Sequence, residues 1–436
     1  MRTLPERVAL ICGGEEISYA ELGRRAEQAA RGLAARGVEA GDRVATTLPP
    51  GVDFAALLHA VPMLGASIVP LNTRLSEAER RWQLEDSRAR LLVDEPLAGD
   101  EAEVALRDTF DPRTEHSLIY TSGTTTRPRG VSLTHGNHTA SAIANAWNIG
   151  VDPGDRWLCV LPLFHVGGLA ILIRSALYGT AALVRERFDV DEVRADLEEG
   201  RATVASLVST MLRRLAEAGL ERAPALRAAL LGGGPVPRDL LEWAARRGLP
   251  VLQTYGMTET ASQIATLRAE EALELKGSAG RPLLGVEIST SPEGEILARG
   301  PMIAPGAVEP DGWLHTGDRG RLDQDGYVWV EGRLKDVIVT GGENVSCAEV
   351  EEALLAHPAV TDAGVAAEPD EEWGEVVSAF VVANDGVSAE DLIAHCRTRL
   401  ASYKAPRRIT IVEALPRNAA GKLLRRDLPV RDKRTT

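Results

Sequence analysis

The sequence predicts an α/β protein built as a large N-terminal domain of layered α/β subdomains plus a β-rich subdomain, followed by a small α+β C-terminal domain. Three observations predict it. Up to about residue 260, amphipathic helical stretches alternate with short apolar runs, the pattern of right-handed crossovers on a layered sheet. From Gly280 the pattern turns to strands and hairpins. Beyond the charged, glycine-containing stretch 332–344, the remainder mixes two helical stretches with two apolar strands. The boundary is read between residues 334 and 335, giving domains 1–334 and 335–436. With 436 residues and 44% hydrophobic content, the chain can fill more than one core.

Taken in order, residues 18–36 place Leu22, Ala26, Ala29, Ala30 and Leu33 at helical spacing, with Ser18 as cap and Glu21 three residues on. Gly37 ends that helix. A strand follows at 42–48, then a helix from Val52 to Leu64 and a strand at 66–71. Residues 55–71 are the most apolar long run, yet His59, Pro62 and Gly65 interrupt it and it is too short for a membrane span. A helix at 76–87 and a strand at 89–93 lead into an acidic surface connection, 94–115. Strands at 116–120 and 131–134 flank a polar loop, a helix covers 136–147, and a strand at 156–161 runs into Pro162–Leu169. Further strands are read at 203–208, 226–231 and 251–255, with a helical stretch at 211–215. Asp323 and Asp325 are read as a solvated pair in a turn. In the second domain the expected elements are helices at 346–356 and 388–400 and strands at 359–366 and 376–383.

The formal net charge of -14 argues against nonspecific binding to nucleic acid or to an anionic membrane. A polyanionic ligand must then be met by local cations and amides. Cys12, Cys159, Cys347 and Cys396 lie far apart, which points to reduced thiols rather than disulfides or a zinc site. The start, MRTLPER, lacks a signal-peptide pattern, so a cytoplasmic location without stable membrane insertion is expected. Oligomeric state is left open, a homo-oligomer included. His135 and His138 sit three apart, but without a third ligand they are read as structural.

The chemistry gathers on two segments. The first is YTSGTTTRPRG, residues 120–130, whose glycine, hydroxyls, amides and cations Arg127 and Arg129 can surround a phosphate. It is not the G-x-x-x-x-G-K-[ST] loop. The second is YGMTE, residues 255–259, at the end of a strand. Glu259 can hold Mg2+, an oxygen-seeking ion that shares itself between a carboxylate and phosphates, and Thr258 can donate to a phosphate. The triple glycine 232–234 also follows a strand, where open α/β sheets bind ligands.

Together these segments resemble the adenylate-forming superfamily of acyl-CoA synthetases, luciferases and adenylation domains, and the resemblance runs the length of the chain. The first segment departs from the usual YTSGTTGxPKG, with Thr126 for a glycine and Arg129 for a lysine. The second matches without departure. The resemblance implies ATP binding by Thr121, Ser122, Gly123, Thr124, Thr125, Arg129, Gly233, Gly234, Thr254, Tyr255, Gly256 and Met257, with Asp318 of the TGD pattern and Arg333 at the ribose. It implies catalysis by Lys422, Thr258, Glu259 and His165, with Glu259 as metal ligand. Phe164, His165 and Gly256 would line the acyl pocket, Lys335 would be the hinge of a mobile C-terminal domain, and Gly341 and Gly342 would lie beside CoA.

The expected reaction is that of an AMP-forming acid–CoA ligase using ATP and Mg2+, with CoA as co-substrate and a small carboxylic acid as partner. LPLFHVGG offers no Asp for a substrate ammonium, which disfavours an amino-acid adenylation domain. The compact length and the string TYGMTETASQIATL are most similar to the ligases that activate o-succinylbenzoate for menaquinone synthesis, with medium-chain or aryl acyl-CoA ligases as runners-up.

Overall fold

The computed structural model describes residues 3–97, 101–121, 128–234, 236–340, 343–370, 373–384, 386–417 and 423–430. The chain divides into two compact units: residues 1–288, 298–315 and 326–328 in the first, and 289–297, 316–325 and 329–436 in the second.

Two sheets organise the first unit. In one, the neighbours run Glu15–Ser18, Val8–Cys12, Ala181–Val184, Arg156–Cys159, Val204–Val208, Ala228–Gly232, Val251–Tyr255, Ala265–Thr266 and Ser278–Pro282. The run from Val8–Cys12 to Val251–Tyr255 is parallel throughout. In the other, the order is Leu91–Val93, Arg43–Thr46, Ser67–Pro70, Glu115–Thr121 and Arg129–Thr134, parallel except for the last pair. Ser67–Pro70 and Ala181–Val184 are buried at every position, as expected of strands covered on both faces.

Most expected elements appear close to where the pattern puts them. The helix Tyr19–Ala35 buries Leu22, Ala26, Ala30 and Leu33. Its cap is half of the expected pair: Ser18 accepts from the Glu21 amide, but the Glu21 carboxylate turns to Arg24 and Arg25 instead of reaching back. The strand of 66–71 is Ser67–Pro70, set off from the helix Val52–Met63 by Gly65 at φ +76°. Asp323 is more than solvated, since it accepts from the Asp325 amide and from Trp329 Nε1 at 2.7 Å.

Several elements lie outside the sequence reading. The hairpin Val8–Cys12 with Glu15–Ser18 is one, and the helices Val166–Tyr178, Val190–Glu198 and Arg238–Arg246 are others. Val166–Tyr178 is apolar over most of its circumference because nine of its residues are buried, which erases the amphipathic stripe.

The second unit contains most of the neighbouring strands Glu295–Arg299, Leu314–Leu322 and Val328–Arg333. It continues as a sheet ordered Glu343–Ser346, Val337–Thr340, Gly374–Ala383 and Val360–Asp370, with Arg408–Ile411 parallel to Gly374–Ala383. The helices Cys347–Leu355 and Ala389–Arg397 cover it, closing a core that includes Ile338, Val350, Leu354, Val365, Leu392 and Cys396. Ser388 and Asp391 form a reciprocal cap at the second helix. Among the described residues, no helix is long and apolar enough to cross a membrane.

Candidate active site

The loop expected to hold phosphate joins two antiparallel strands. Glu115–Thr121 and Arg129–Thr134 pair from Glu115↔Thr134 to Thr121↔Arg129. Leu118, Ile119, Tyr120, Val131 and Leu133 are buried, so the base of this hairpin is part of the core. Thr121 Oγ1 donates to the Arg129 carbonyl, and an Arg129 terminal nitrogen donates to the Gly306 carbonyl at 3.1 Å. Ser122, Gly123, Thr124 and Thr125 lie outside the described residues.

Three parallel strands bring the next group together. Val204–Val208, Ala228–Gly232 and Val251–Tyr255 end on one edge, so Gly232–Gly234 lies beside the segment that begins at Thr254. Thr254 Oγ1 donates to the Leu231 carbonyl, and a Cβ on Gly232 would sit 2.9 Å from Thr254 Oγ1. Gly233 has φ +82° and is exposed with Gly234. Residues 254–259 are all half-buried, a position from which side chains can meet a ligand.

The YGMTE segment bends sharply. Thr258–Thr260 forms one tight turn, in which the Met257 amide donates to Thr260 Oγ1. The chain then folds back so closely that a Cβ on Gly256 would lie 2.0 Å from the Ser262 carbonyl. Only glycine fits there. Ala261 and Ser262 follow with φ of 47° and 101°.

The segment 301–307 links the two signatures. The Ala304 amide donates to the Glu259 carbonyl at 2.8 Å, while Gly306 receives Arg129. The strand Arg129–Thr134 packs against both the 305–307 turn and Thr258–Thr260. Glu259 and the hairpin that carries the phosphate loop therefore stand side by side.

His165 is the N-cap residue of the helix Val166–Tyr178, its ring centroid 4.6 Å from that of Phe164. Its Nε2 is buried and finds no hydrogen-bond partner among the described residues. Burial, helped by the charge of Arg74, lowers His165 to about 4, so the ring is neutral at physiological pH. A neutral imidazole with one open nitrogen can orient a carboxylic acid. Gly168 is needed one turn on, because a Cβ would meet the Pro162 carbonyl at 2.4 Å.

The second unit unites the two residues expected at the ribose. Arg333 Nε lies 2.9 Å from Asp318 Oδ1, and another Arg333 nitrogen donates to the Thr316 carbonyl. Asp318 is buried, with its amide donating to Thr316 Oγ1. Lys335 lies in the turn Leu334–Asp336. Gly341, Gly342 and Lys422 are outside the described residues. The segment before Lys422 is joined to the one after it by a bridge between Arg417 and Leu423 and by the Leu424 amide donating to the Pro416 carbonyl.

His138 is occupied structurally: its Nε2 lies 2.9 Å from Ser117 Oγ and its ring packs edge-on against His116. Among the described residues, no group of three or more His, Cys, Asp or Glu side chains could hold a metal. Glu259, a single half-buried carboxylate, fits a Mg2+ ion whose remaining ligands come from phosphates and water.

Comparison with known proteins gives the family. The model of the AMP-binding enzyme family matches residues 1–307, and that of the AMP-binding enzyme C-terminal domain matches 349–422. The chain belongs to the AMP-binding enzyme family. Within that family it is 41% identical to a 2-succinylbenzoate–CoA ligase of Bacillus cereus, over 97% of this chain and 95% of the relative. It is 42% identical to the Bacillus licheniformis ligase of the same name, over 97% of each. The o-succinylbenzoate CoA synthetase of Bacillus subtilis, solved with its acyl-adenylate intermediate, superposes with a TM-score of 0.93 at 40% identity, covering 98% of this chain and 96% of that one. The same enzyme with ATP and magnesium ion gives 0.91 at 41% identity, covering 97% and 96%.

Two groups of residues in the first unit escaped the sequence reading. One is the 301–307 strut. The other is a buried polar row on the helix His135–Ile149.

Proposed function

We propose that this chain is an AMP-forming acid–CoA ligase whose acid is o-succinylbenzoate, serving menaquinone synthesis. In the first half-reaction a carboxylate oxygen attacks the α-phosphorus of ATP, and the bond to pyrophosphate breaks. In the second, the CoA thiol gives up its proton and its sulfur attacks the acyl carbon, so that the acyl–phosphate oxygen bond breaks and AMP leaves. Glu259 would hold Mg2+, which neutralises phosphate charge when bound. Thr121–Thr125, Thr258 and Arg129 would donate to the triphosphate, Gly233, Gly234 and 254–257 would bound the adenosine, and Asp318 with Arg333 would take the ribose.

Phe164, His165 and Gly256 would contact the acid, with His165 orienting it as a neutral imidazole. Lys422 would stabilise charge at phosphorus during adenylation. Rotation about Lys335, with the domain boundary between 334 and 335, would exchange it for Gly341 and Gly342 beside CoA. The four cysteines are free thiols, which fits a cytoplasmic location.

The observation that carries this reading is the pairing of Glu259 with the phosphate-loop hairpin through 301–307. AMP release by the purified protein over a panel of carboxylic acids tests it. The result expected is CoA- and ATP-dependent release that is strongest with o-succinylbenzoate. A preference for medium-chain or other aryl acids would move the assignment to those ligases, and turnover that needs an amino acid would overturn it.

A further inference from the structure

The helix His135–Ile149 is built inside out. Its exposed side carries Ile143 and Trp147, 56% and 78% exposed, while Asn137, Ser141 and Asn145 are at most 5% exposed. The three polar residues lie four apart, so they form one row along one face. Burying a polar row costs free energy unless each group is paired. Every member of this row is.

The row's partners are what give it meaning. Asn137 Nδ2 donates to the carbonyls of Pro301 and Ile303, both at 2.9 Å, while its Oδ1 accepts from the Thr134 amide. Ser141 Oγ donates to the Ala261 carbonyl at 2.7 Å. Asn145 Nδ2 donates to Gln263 Oε1 at 2.9 Å. All four donated bonds end on the two segments that flank Glu259: the strut whose Ala304 amide holds the Glu259 carbonyl, and the return of the chain at 261–263.

That return is strained. Among the described residues only three non-glycine positions have positive φ, and two of them are Ala261 and Ser262. Such backbone persists where the surroundings over-determine it. Arg174 supplies part of that determination. It is 3% exposed, donates to Ser141 Oγ at 2.8 Å, and has no carboxylate partner among the described residues. A guanidinium can only donate, so Ser141 must accept from it, and the single hydroxyl proton is committed to Ala261. A neutral acceptor in place of Arg174 would leave that proton free to point elsewhere.

We infer that Asn137, Ser141 and Asn145, with Arg174 behind Ser141, are positioning residues that fix the Thr258–Glu259 turn against the nucleotide. The inference rests on the proposed role of Glu259 and extends it to residues behind the turn that carries it. It makes adenylation, and not thioester formation, the step that depends on this helix.

The test is Ser141→Ala in the full-length protein, with Ser141→Thr as the variant that keeps the hydroxyl and Ile143→Ser as a control on the opposite face. Calorimetry with MgATP, amide hydrogen exchange, and the two half-reactions assayed separately are the readouts. Ser141→Ala is expected to weaken MgATP binding about tenfold, the scale of one lost buried hydrogen bond to a charged group's partner. It should speed exchange at 260–264 and slow adenylation by a similar factor, while thioester formation from supplied acyl adenylate stays within about twofold. Ser141→Thr should recover most of the loss, and Ile143→Ser should change neither binding nor rate. Unchanged MgATP affinity in Ser141→Ala, or equal loss of both half-reactions with faster exchange throughout the first unit, overturns the inference. Glu259→Gln separates it from the reading beneath: if that variant binds MgATP normally, the role of Glu259 falls, whereas if it binds weakly and Ser141→Ala does not, only the positioning assignment falls.

Discussion

The two loops that carry the proposed phosphate chemistry are fastened in different ways. The one at 122–127 stands on a hairpin whose strands pair along their length and bury Ile119, Val131 and Leu133 in the core. The one that carries Lys422 stands on a single bridge, Arg417 to Leu423, on the Leu424 amide donating to the Pro416 carbonyl, on ion pairs of Arg417 with Asp362 at 2.5 Å and Arg425 with Glu351 at 2.8 Å, and on a small apolar cluster of Phe380, Leu415 and Leu428. The hairpin's ion pair, Arg43 with Glu115, lies at the end far from the loop, so salt leaves most of its fastening untouched. The second loop has little strand pairing beside it, so its partly exposed ion pairs count for more. The difference suits the division of labour proposed for the two units, one presenting a fixed nucleotide platform and the other delivering a cation to it for half of the cycle.

The largest expected effect breaks the second loop. Lys422→Ala should slow adenylation about a hundredfold or more, the scale for one charge-stabilising donor, and leave thioester formation from supplied acyl adenylate nearly intact. Equal loss in both assays would contradict the two-conformation cycle. Next comes the platform itself. Gly256→Ala places a methyl 2.0 Å from the Ser262 carbonyl, and the overpacking should cost about 1–3 kcal/mol with loss of ATP binding; a variant with wild-type melting temperature and affinity would show that the fold-back is not needed.

Acid should act on the platform. His116 and His138 are buried and held neutral, His138 lowered to about 3 and His116 well below its usual range, chiefly by burial and then by neighbouring imidazoles. Their folded values lie below the unfolded one, so the unfolded chain takes up protons first as pH falls through about 6.5. Stability should then drop by about 1.4 kcal/mol per pH unit for each ring, and melting temperatures measured between pH 7 and 5 should show it. A double variant, His116→Asn with His138→Asn, should reduce that slope, with the buried His59 and His165, both lowered to about 4, supplying the rest; the same slope in both proteins would point elsewhere. Salt should act on the other loop and least strongly. Arg417→Met is expected to cost under about 1 kcal/mol at low ionic strength and nothing measurable at high salt, as read by thermal melts at two salt concentrations.

Much of this could be read from the chain because local chemistry and tertiary role coincide. Val251–Tyr255 ends where apolar residues give way to Gly256, and Tyr120 and Val131 bracket the polar loop as strands must. What stayed hidden depends on partners distant in sequence. The row Asn137, Ser141, Asn145 resembles a solvated face until 261–263 and 301–303 are brought against it, and Trp147, which pattern alone would bury, is the most exposed large side chain of its helix. Val166–Tyr178 hid for the opposite reason, being too uniformly apolar to show a period. The pairing of Asp318 with Arg333 crosses two strands and needed the sheet to be seen.

Arg129 stands where the usual form of this motif has lysine, and its bond to Gly306 gives that exchange a use. An ammonium has one nitrogen; a guanidinium has three, spread across a plane. With one of them anchored to the 305–307 turn, the others remain for the anion that the proposed function assigns to it, so in that proposal the same side chain is at once a brace for the platform and a hand for the ligand.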